Sequence, residues 1–327
     1  METTAMPTST TQASPVNQPR FSGMSHVSLP CRDLEESKVF YSQVMGGELV
    51  HTATGFVEFR VENIIIGLSE QSTGWTGADD EYPHYAFYLD GPNFALMRNL
   101  LESYAVPNYP YRRDNTALIY FRDPSGNLFE LYCDTGYEAI GSLALAPRRG
   151  GVPIDFRRLN YQWNSKNAVQ GIQQPRFSAF AHASLYCRDF EQAKRFFTKV
   201  IGGELIHDVN DGATRFGEVR IAGIIIGFTD RPGSTTGRIA EYPHYAFFIE
   251  PEDFLPMVAW LRHNGVKTSE PWTRDGIKGL LYFRDPSGNL FEMYCPKIKE
   301  AATFVRGAKQ GGSYTIDFAA LNYEWKG

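Results

Sequence analysis

The sequence predicts an α+β fold of four strand–helix–strand–strand–strand modules, arranged as two tandem domains. Three observations carry this. The chain of 327 residues repeats itself: "QPRFSGMSHVSLPCRDLEESKVFYSQVMGGELVH" at 18–51 returns as "QPRFSAFAHASLYCRDFEQAKRFFTKVIGGELIH" at 174–207. "EYPHYAF" at 81 returns at 241, and "YFRDPSGNLFE" at 120 returns letter for letter at 282. Within each half, one strand, one helix and three strands occur twice.

The elements follow in order. "SHVSLPC" alternates as a short strand. "DLEESKVFYSQVMGG" reads as a helix: Asp33 caps it, acids fill its first turn, Leu34, Val39 and Phe40 give an apolar face, and Gly46-Gly47 close it. "ELVHTA", "FVEFRV" and "IIIGLSE" are strands. The order then restarts with the strand "PHYAFYLD" and the helix "NFALMRNLLESYAV", whose apolar stripe is Phe94, Met97, Leu100, Leu101 and Tyr104. Strands near 108–112, 117–122 and 127–133 complete the half, with a turn at Asp-Pro-Ser-Gly. The expected organisation is a flexible polar tail over 1–20, a first two-module domain over 21–163, a linker over 164–176 and a second two-module domain over 177–327.

Composition narrows the partners. A net charge of −5 without a basic run argues against nucleic acid. No apolar run reaches membrane-spanning length, and the N-terminal stretch has no signal-peptide core, so a cytoplasmic protein is expected. Cys31, Cys133, Cys187 and Cys295 lack zinc-type spacing and read as buried free thiols in a reducing compartment.

Strand alternation isolates the candidate chemistry. In "NLFELYC", Phe129, Leu131 and Cys133 share one face and Leu128, Glu130 and Tyr132 the other. In "SHVSL", His26 and Ser28 point away from Val27 and Leu29. In "PHYAFYL", His84 and Ala86 point away from Tyr85, Phe87 and Leu89. The second half repeats the pattern with His182, Ser184, His244, Ala246 and Glu292. Two imidazoles and a carboxylate suit a divalent first-row metal and leave up to three coordination positions open. A lone glutamate on a half-exposed strand more often faces solvent, and a lone strand histidine is more often structural. The repeated order of the three residues favours the metal reading over both.

The four modules, the "H-x-S-L" strand, the "RDL" helix start and the "FRDPSGNLFEL" hairpin resemble the vicinal oxygen chelate superfamily. That superfamily includes glyoxalase I, fosfomycin-resistance enzymes, bleomycin-binding proteins and type I extradiol ring-cleaving dioxygenases. The resemblance covers residues 21–135 and 177–297. It implies a cup around a metal, with His26, His84, Glu130, His182, His244 and Glu292 as ligands. His26 can complete either His-Glu pair, and His182 the other.

The fourth glutamate ligand of glyoxalase I has no counterpart in "IIIGLSE" or "IIIGFTD". The hairpin resembles that of extradiol dioxygenases, which implies catalytic roles for Tyr120 and Tyr282. The two histidines expected of that group are missing, and His51 and His207 are the candidates to substitute for one of them. Arg112, Arg113, Arg274 and Asp275 lie in loops that could meet a substrate carboxylate. The tails "IDFRRLNYQW" and "IDFAALNYEW" pack between the halves or lid the cup, with packing preferred.

The implied activity is an Fe(II)-dependent extradiol cleavage of a catechol-like aromatic diol with dioxygen, in a chain that can form a homo-oligomer. The alternatives are an isomerase or thiol transferase on Mn(II), Ni(II) or Zn(II), and a metal-free binding protein of the bleomycin-resistance kind.

Overall fold

Asp33 accepts a hydrogen bond from the Glu36 amide and starts the helix α1 (Leu34–Gln43) directly after the strand β1 (Phe21–Cys31). Gly46 then turns the chain with a φ of 63°, a conformation that favours glycine. The strands β2 (Glu48–Ala53), β3 (Phe56–Val61) and β4 (Ile64–Glu70) complete the first module. The second module runs β5 (His84–Tyr88), α2 (Gly91–Ser103), β6 (Asn108–Arg113), β7 (Thr116–Arg122) and β8 (Leu128–Cys133).

The third is β9 (Ala179–Cys187), α3 (Phe190–Arg195, continued by a π-helical stretch over Phe196–Val200), β10 (Glu204–Asn210), β11 (Arg215–Ile221) and β12 (Ile224–Asp230). The fourth is β13 (His244–Ile249), α4 (Phe254–His263), β14 (Trp272–Arg274), β15 (Lys278–Arg284) and β16 (Leu290–Cys295). A short β17 (Val305–Arg306) adds to β14.

This is a computed structural model, and it describes residues 18–71, 80–113, 115–134, 154–164, 173–210, 212, 215–230, 241–299, 305–306 and 316–327. The expected α+β class and the four modules are present. The sheets, however, do not follow the halves of the sequence. One sheet has the order β17-β14-β15-β16-β13-β1-β4-β3-β2 and joins the fourth module to the first. The other, β10-β11-β12-β9-β5-β8-β7-β6, joins the third to the second. The seams are antiparallel pairings of β1 with β13 and of β5 with β9. Residues 21–163 and 177–327 are thus units of the chain and not units of the sheet. The physical reason is edge pairing: the first strand of each module leaves a free edge, and the partner in the other half covers it.

Helices and the outer sheet faces form one continuous core that includes Phe40, Phe59, Phe87, Phe129, Phe196 and Phe291. Tyr85 and Tyr245 meet across the two sheets with centroids 6.3 Å apart. All four cysteines are free and buried in this core, as expected, and burial pushes the Cys31 thiol up to about 12.

The polar tail expected over 1–20 gives way to placed chain at residue 18. Gln18 Nε2 donates to the Val200 carbonyl at 3.0 Å, and Gln174 Nε2 does the same to Val44 at 3.2 Å. Residues 1–17 of the tail and 165–172 of the linker lie outside the described residues. Trp163 packs edge-on to Phe40 at 5.3 Å and stacks on Tyr104, so this part of the tail packs against its own half and not between the halves. Among the described residues no helix is long and apolar enough to cross a membrane.

Candidate metal centres

The inner faces of the sheets carry the candidate ligands. On the eight-stranded sheet, Ala86 pairs with Glu130 on one side and His182 on the other, and His84 sits one pleat along. The small Ala86 therefore leaves a gap between the two ligand strands. On the nine-stranded sheet Ala246 pairs with both Glu292 and His26 in the same way. The six predicted ligands gather as two groups, His84, Glu130 and His182, and His26, His244 and Glu292. Each group takes one histidine from the other half of the sequence.

In the first group the separations are 3.2 Å (His84 Nε2 to Glu130 Oε2), 3.9 Å (His182 Nε2 to Glu130 Oε2) and 3.4 Å (between the two Nε2 atoms). In the second they are 3.3, 3.6 and 3.4 Å. Donors bound at about 2.1 Å with angles between about 90° and 109° lie roughly 3.0–3.4 Å apart. The donor set fits one divalent ion in each group: four of the six separations fall in that range, and the His182–Glu130 and His26–Glu292 pairs, at 3.9 and 3.6 Å, would close by a few tenths of an ångström around an ion.

The histidines are prepared for this. His84 Nδ1 lies 2.9 Å from the Glu81 carbonyl, and His244 Nδ1 lies 3.1 Å from that of Glu241. Only a protonated Nδ1 can donate there, which leaves Nε2 as the atom that could ligate a metal. Sequence reading used "EYPHYAF" for its histidine alone. It missed Glu81 and Glu241, whose signal was the repetition of the whole heptapeptide.

The glutamates are 3% and 1% exposed, which rules out the solvent-facing reading of a strand glutamate. Burial alone would raise their carboxyls. The hydrogen bond from His84 and the charges of His182 and His84 instead hold Glu130 at about 2, and His26 and His244 likewise lower Glu292. Burial lowers His84, but its bond to Glu130 and that group's charge outweigh this and raise it above its ordinary value. For His182 burial wins and the pKa falls.

Metal affinity should accordingly rise with pH. Below its raised pKa His84 holds a proton that a metal must displace, while Glu130 stays ionised throughout. The apparent affinity should climb about tenfold per pH unit for each proton displaced while the imidazole is protonated, and level off once it is neutral. A Co(II) titration at several pH values checks this, and a flat profile would argue against imidazole ligation.

Tyr120 and Tyr282 are buried beside the triads. Their rings meet His84 and His244 edge-on at 5.5 and 5.4 Å. Their hydroxyls reach toward Glu81 Oε1 at 3.5 Å and Glu241 Oε1 at 3.3 Å. Burial, with the charges of Glu130 and Glu292, raises both phenols well above their usual range, so they remain donors.

His51 and His207 lie farther out. Register runs His207–Glu218–Gly227–Ser184–His84, and His51–Glu58–Gly67–Ser28–His244, so both histidines face the triad side. They stand three strands, about 14 Å along a flat sheet, from the ligand strand. His207 is exposed and pairs with Glu218. Glu58 and Glu218 were also missed by sequence reading. Gly67 and Gly227 occupy the neighbouring strand beside Ser28 and Ser184, so that strand supplies no fourth carboxylate.

Comparison with known proteins agrees with this architecture. The family model of the Glyoxalase/Bleomycin resistance protein/Dioxygenase superfamily matches residues 23–131 and 179–293. The chain is 28% identical over 182 residues to metapyrocatechase of Pseudomonas sp. (strain CF600), covering 54% of this chain and 52% of that protein. It is 32% identical over 85 residues to metallothiol transferase FosB of Staphylococcus saprophyticus, covering 26% of this chain and 51% of FosB. The chain thus spans about half the length of these curated relatives.

Among solved structures, a "putative dioxygenase" of Bacillus subtilis superposes with a TM-score of 0.62 at 18% identity, covering 88% of this chain and 89% of that one. Glyoxalase I of Zea mays superposes with a TM-score of 0.54 at 14% identity, covering 85% and 93%. These last two establish the fold alone. With the family match running through both halves, the chain belongs to the Glyoxalase/Bleomycin resistance protein/Dioxygenase superfamily.

Proposed function

We propose that the protein is an extradiol-type dioxygenase that opens a catechol-like ring beside its hydroxyls at Fe(II), in the reducing cytoplasm that its four free thiols suit. The observation that carries this reading is the three-donor triad whose neighbouring strand offers glycine, Gly67 or Gly227, in place of a fourth carboxylate. Three donors leave positions for both oxygens of a diol and for dioxygen. When bound, the metal supplies Lewis acidity and lowers the pKa of a coordinated hydroxyl.

The chain's own residues do the rest. Glu81 and Glu241 fix the ligand imidazoles through their carbonyls. Tyr120 and Tyr282, kept neutral by burial, donate a hydrogen bond to a diol oxygen. Two apolar clusters give the ring its wall: Tyr111, Leu118, Tyr120 and Phe156 on one sheet, Trp272, Leu280, Tyr282 and Leu321 on the other. Phe156 and Phe318 stand edge-on to the two tyrosines at 5.5 and 5.3 Å, so this part of each tail borders the cup. His51 and His207 are candidates for proton transfer from the opposite wall.

The similarity to FosB favours a second reading, thiol transfer on Mn(II) or another redox-inert ion. Oxygen uptake with a panel of catechols, on protein reloaded with Fe(II), separates the two. Ring-fission product and one dioxygen consumed per diol support the first reading, and thiol adduct without oxygen uptake supports the second. The variant Tyr120→Phe/Tyr282→Phe should keep its metal and lose about 10²-fold in kcat, the usual scale for one well-aimed donor. An unchanged kcat would assign the tyrosines to packing.

A further inference from the structure

The hairpins at the rim of the two cups differ in length. Two residues separate β6 from β7 in the sequence and three separate β14 from β15, so positional offset aligns Arg112 with Arg274. Ladder register aligns different residues. Arg113 pairs with Thr116, and Arg274 pairs with Lys278, each partner four residues before the buried tyrosine. Arg113 and Arg274 are therefore equivalent. Along β6, Tyr109, Tyr111 and Arg113 share the face that pairs with Tyr120 and Leu118, which is the triad face, and Arg112 points away.

Both side chains leave the sheet on the triad face. Arg113 is an exposed residue, yet its charge acts on Tyr111, Tyr120, Glu130 and Glu81. Arg274 lies over the Trp272 ring at 5.5 Å, and its charge acts on Tyr242 and Tyr294. The opposite wall is different. Arg220 is paired with Glu204 at 2.9 Å and Arg60 with Glu48 at 3.7 Å. Arg113 and Arg274 form no ion pair with any described residue. A guanidinium on the triad face beside an aromatic wall, in no ion pair with a described residue, matches a planar anion attached to an aromatic ring.

Resting on the reading of the cups as diol sites, we propose that the substrate is an aromatic diol bearing a carboxylate, held by Arg113 in one cup and Arg274 in the other. Lys278 adds a second cation in the Arg274 cup, where the other cup has Thr116, so the two cups bind the anion with unequal strength.

The test is anaerobic calorimetry of the full chain loaded with Fe(II), using 3,4-dihydroxybenzoate and catechol. A charged hydrogen bond of this kind corresponds to about ten- to a hundredfold in affinity. The wild type should prefer the carboxylated diol by at least about tenfold. Arg113→Gln/Arg274→Gln should bring the two ligands level, and Arg113→Lys/Arg274→Lys should restore part of the preference. Equal binding by the wild type, a preference that survives the glutamine variant, or no binding of either diol would each overturn the proposal. Ring cleavage is read separately. A charge-dependent preference without cleavage leaves the substrate class standing and removes the dioxygenase, and cleavage of neutral catechol without arginine dependence does the reverse.

Discussion

The double variant His26→Ala/Glu130→Ala should bind almost no metal, and His26→Ala/Glu292→Ala should keep one ion per chain. The difference comes from the seams of the two sheets. His26 stands on β1 against β13, so its partners are His244 and Glu292 from the other half of the chain. Removing His26 with Glu292 damages one triad twice. Removing His26 with Glu130 damages both triads once.

Pairing within each half would give the reverse, because His26, His84 and Glu130 would then form one site. Loss of a direct ligand should weaken binding by more than the roughly 10–100-fold typical of residues that only support a ligand. At micromolar protein, elemental analysis after gel filtration should therefore read whole ions. Glu130→Ala and Glu292→Ala alone should each fall from two ions to one. Retention of one ion by His26→Ala/Glu130→Ala would overturn the cross-half assignment.

Sequence carried the six candidate residues that the structure gathers, but not their grouping. Alternation along "HVSL", "HYAF" and "LFEL" selects the residues on one face, and that face is a local property. Helix starts were equally local, and Asp33 and Asp189 each accept from the amide three residues on. Grouping depends on which free edge of β1 and β5 finds which partner, and nothing within either strand encodes that choice. The same limit left Arg112 and Arg113 undivided. Both were candidates for a substrate carboxylate, and only the ladder shows that one extra residue in the second hairpin makes Arg113 the equivalent of Arg274. The burial of Glu130 and Glu292 also escaped, because a glutamate on a strand has no signature that tells a covered inner face from a wet one. Glu81 and Glu241 act through backbone carbonyls, which carry no residue-type signal at all.

Arg122→Ala should cost about 3–5 kcal/mol of stability and weaken metal binding at the His84 triad while sparing the other. Arg122 is 1% exposed and among the largest fully buried side chains. Its Nη1 donates to the Gly126 carbonyl at 2.7 Å, and its Nη2 to the Asp80 carbonyl at 3.1 Å. One side chain thus ties the turn before the Glu130 strand to the segment that leads into His84. Truncation leaves a large cavity and removes the donors from two carbonyls.

Asp123 opposes the loss. It accepts from the Ser125 and Asn127 amides, from Asn127 Nδ2 and from the Tyr41 hydroxyl, and it holds the turn from the other side. Asp123 does not reach the His84 segment, so the turn should survive while the spacing of the triad relaxes. Arg122→Met separates the causes, because methionine fills most of the volume and donates nothing. Stability regained without metal affinity would show that the two hydrogen bonds set the ligand geometry. A change below about 1 kcal/mol in Arg122→Ala, with metal binding intact, would show that the Asp123 network holds the turn and the triad without the arginine.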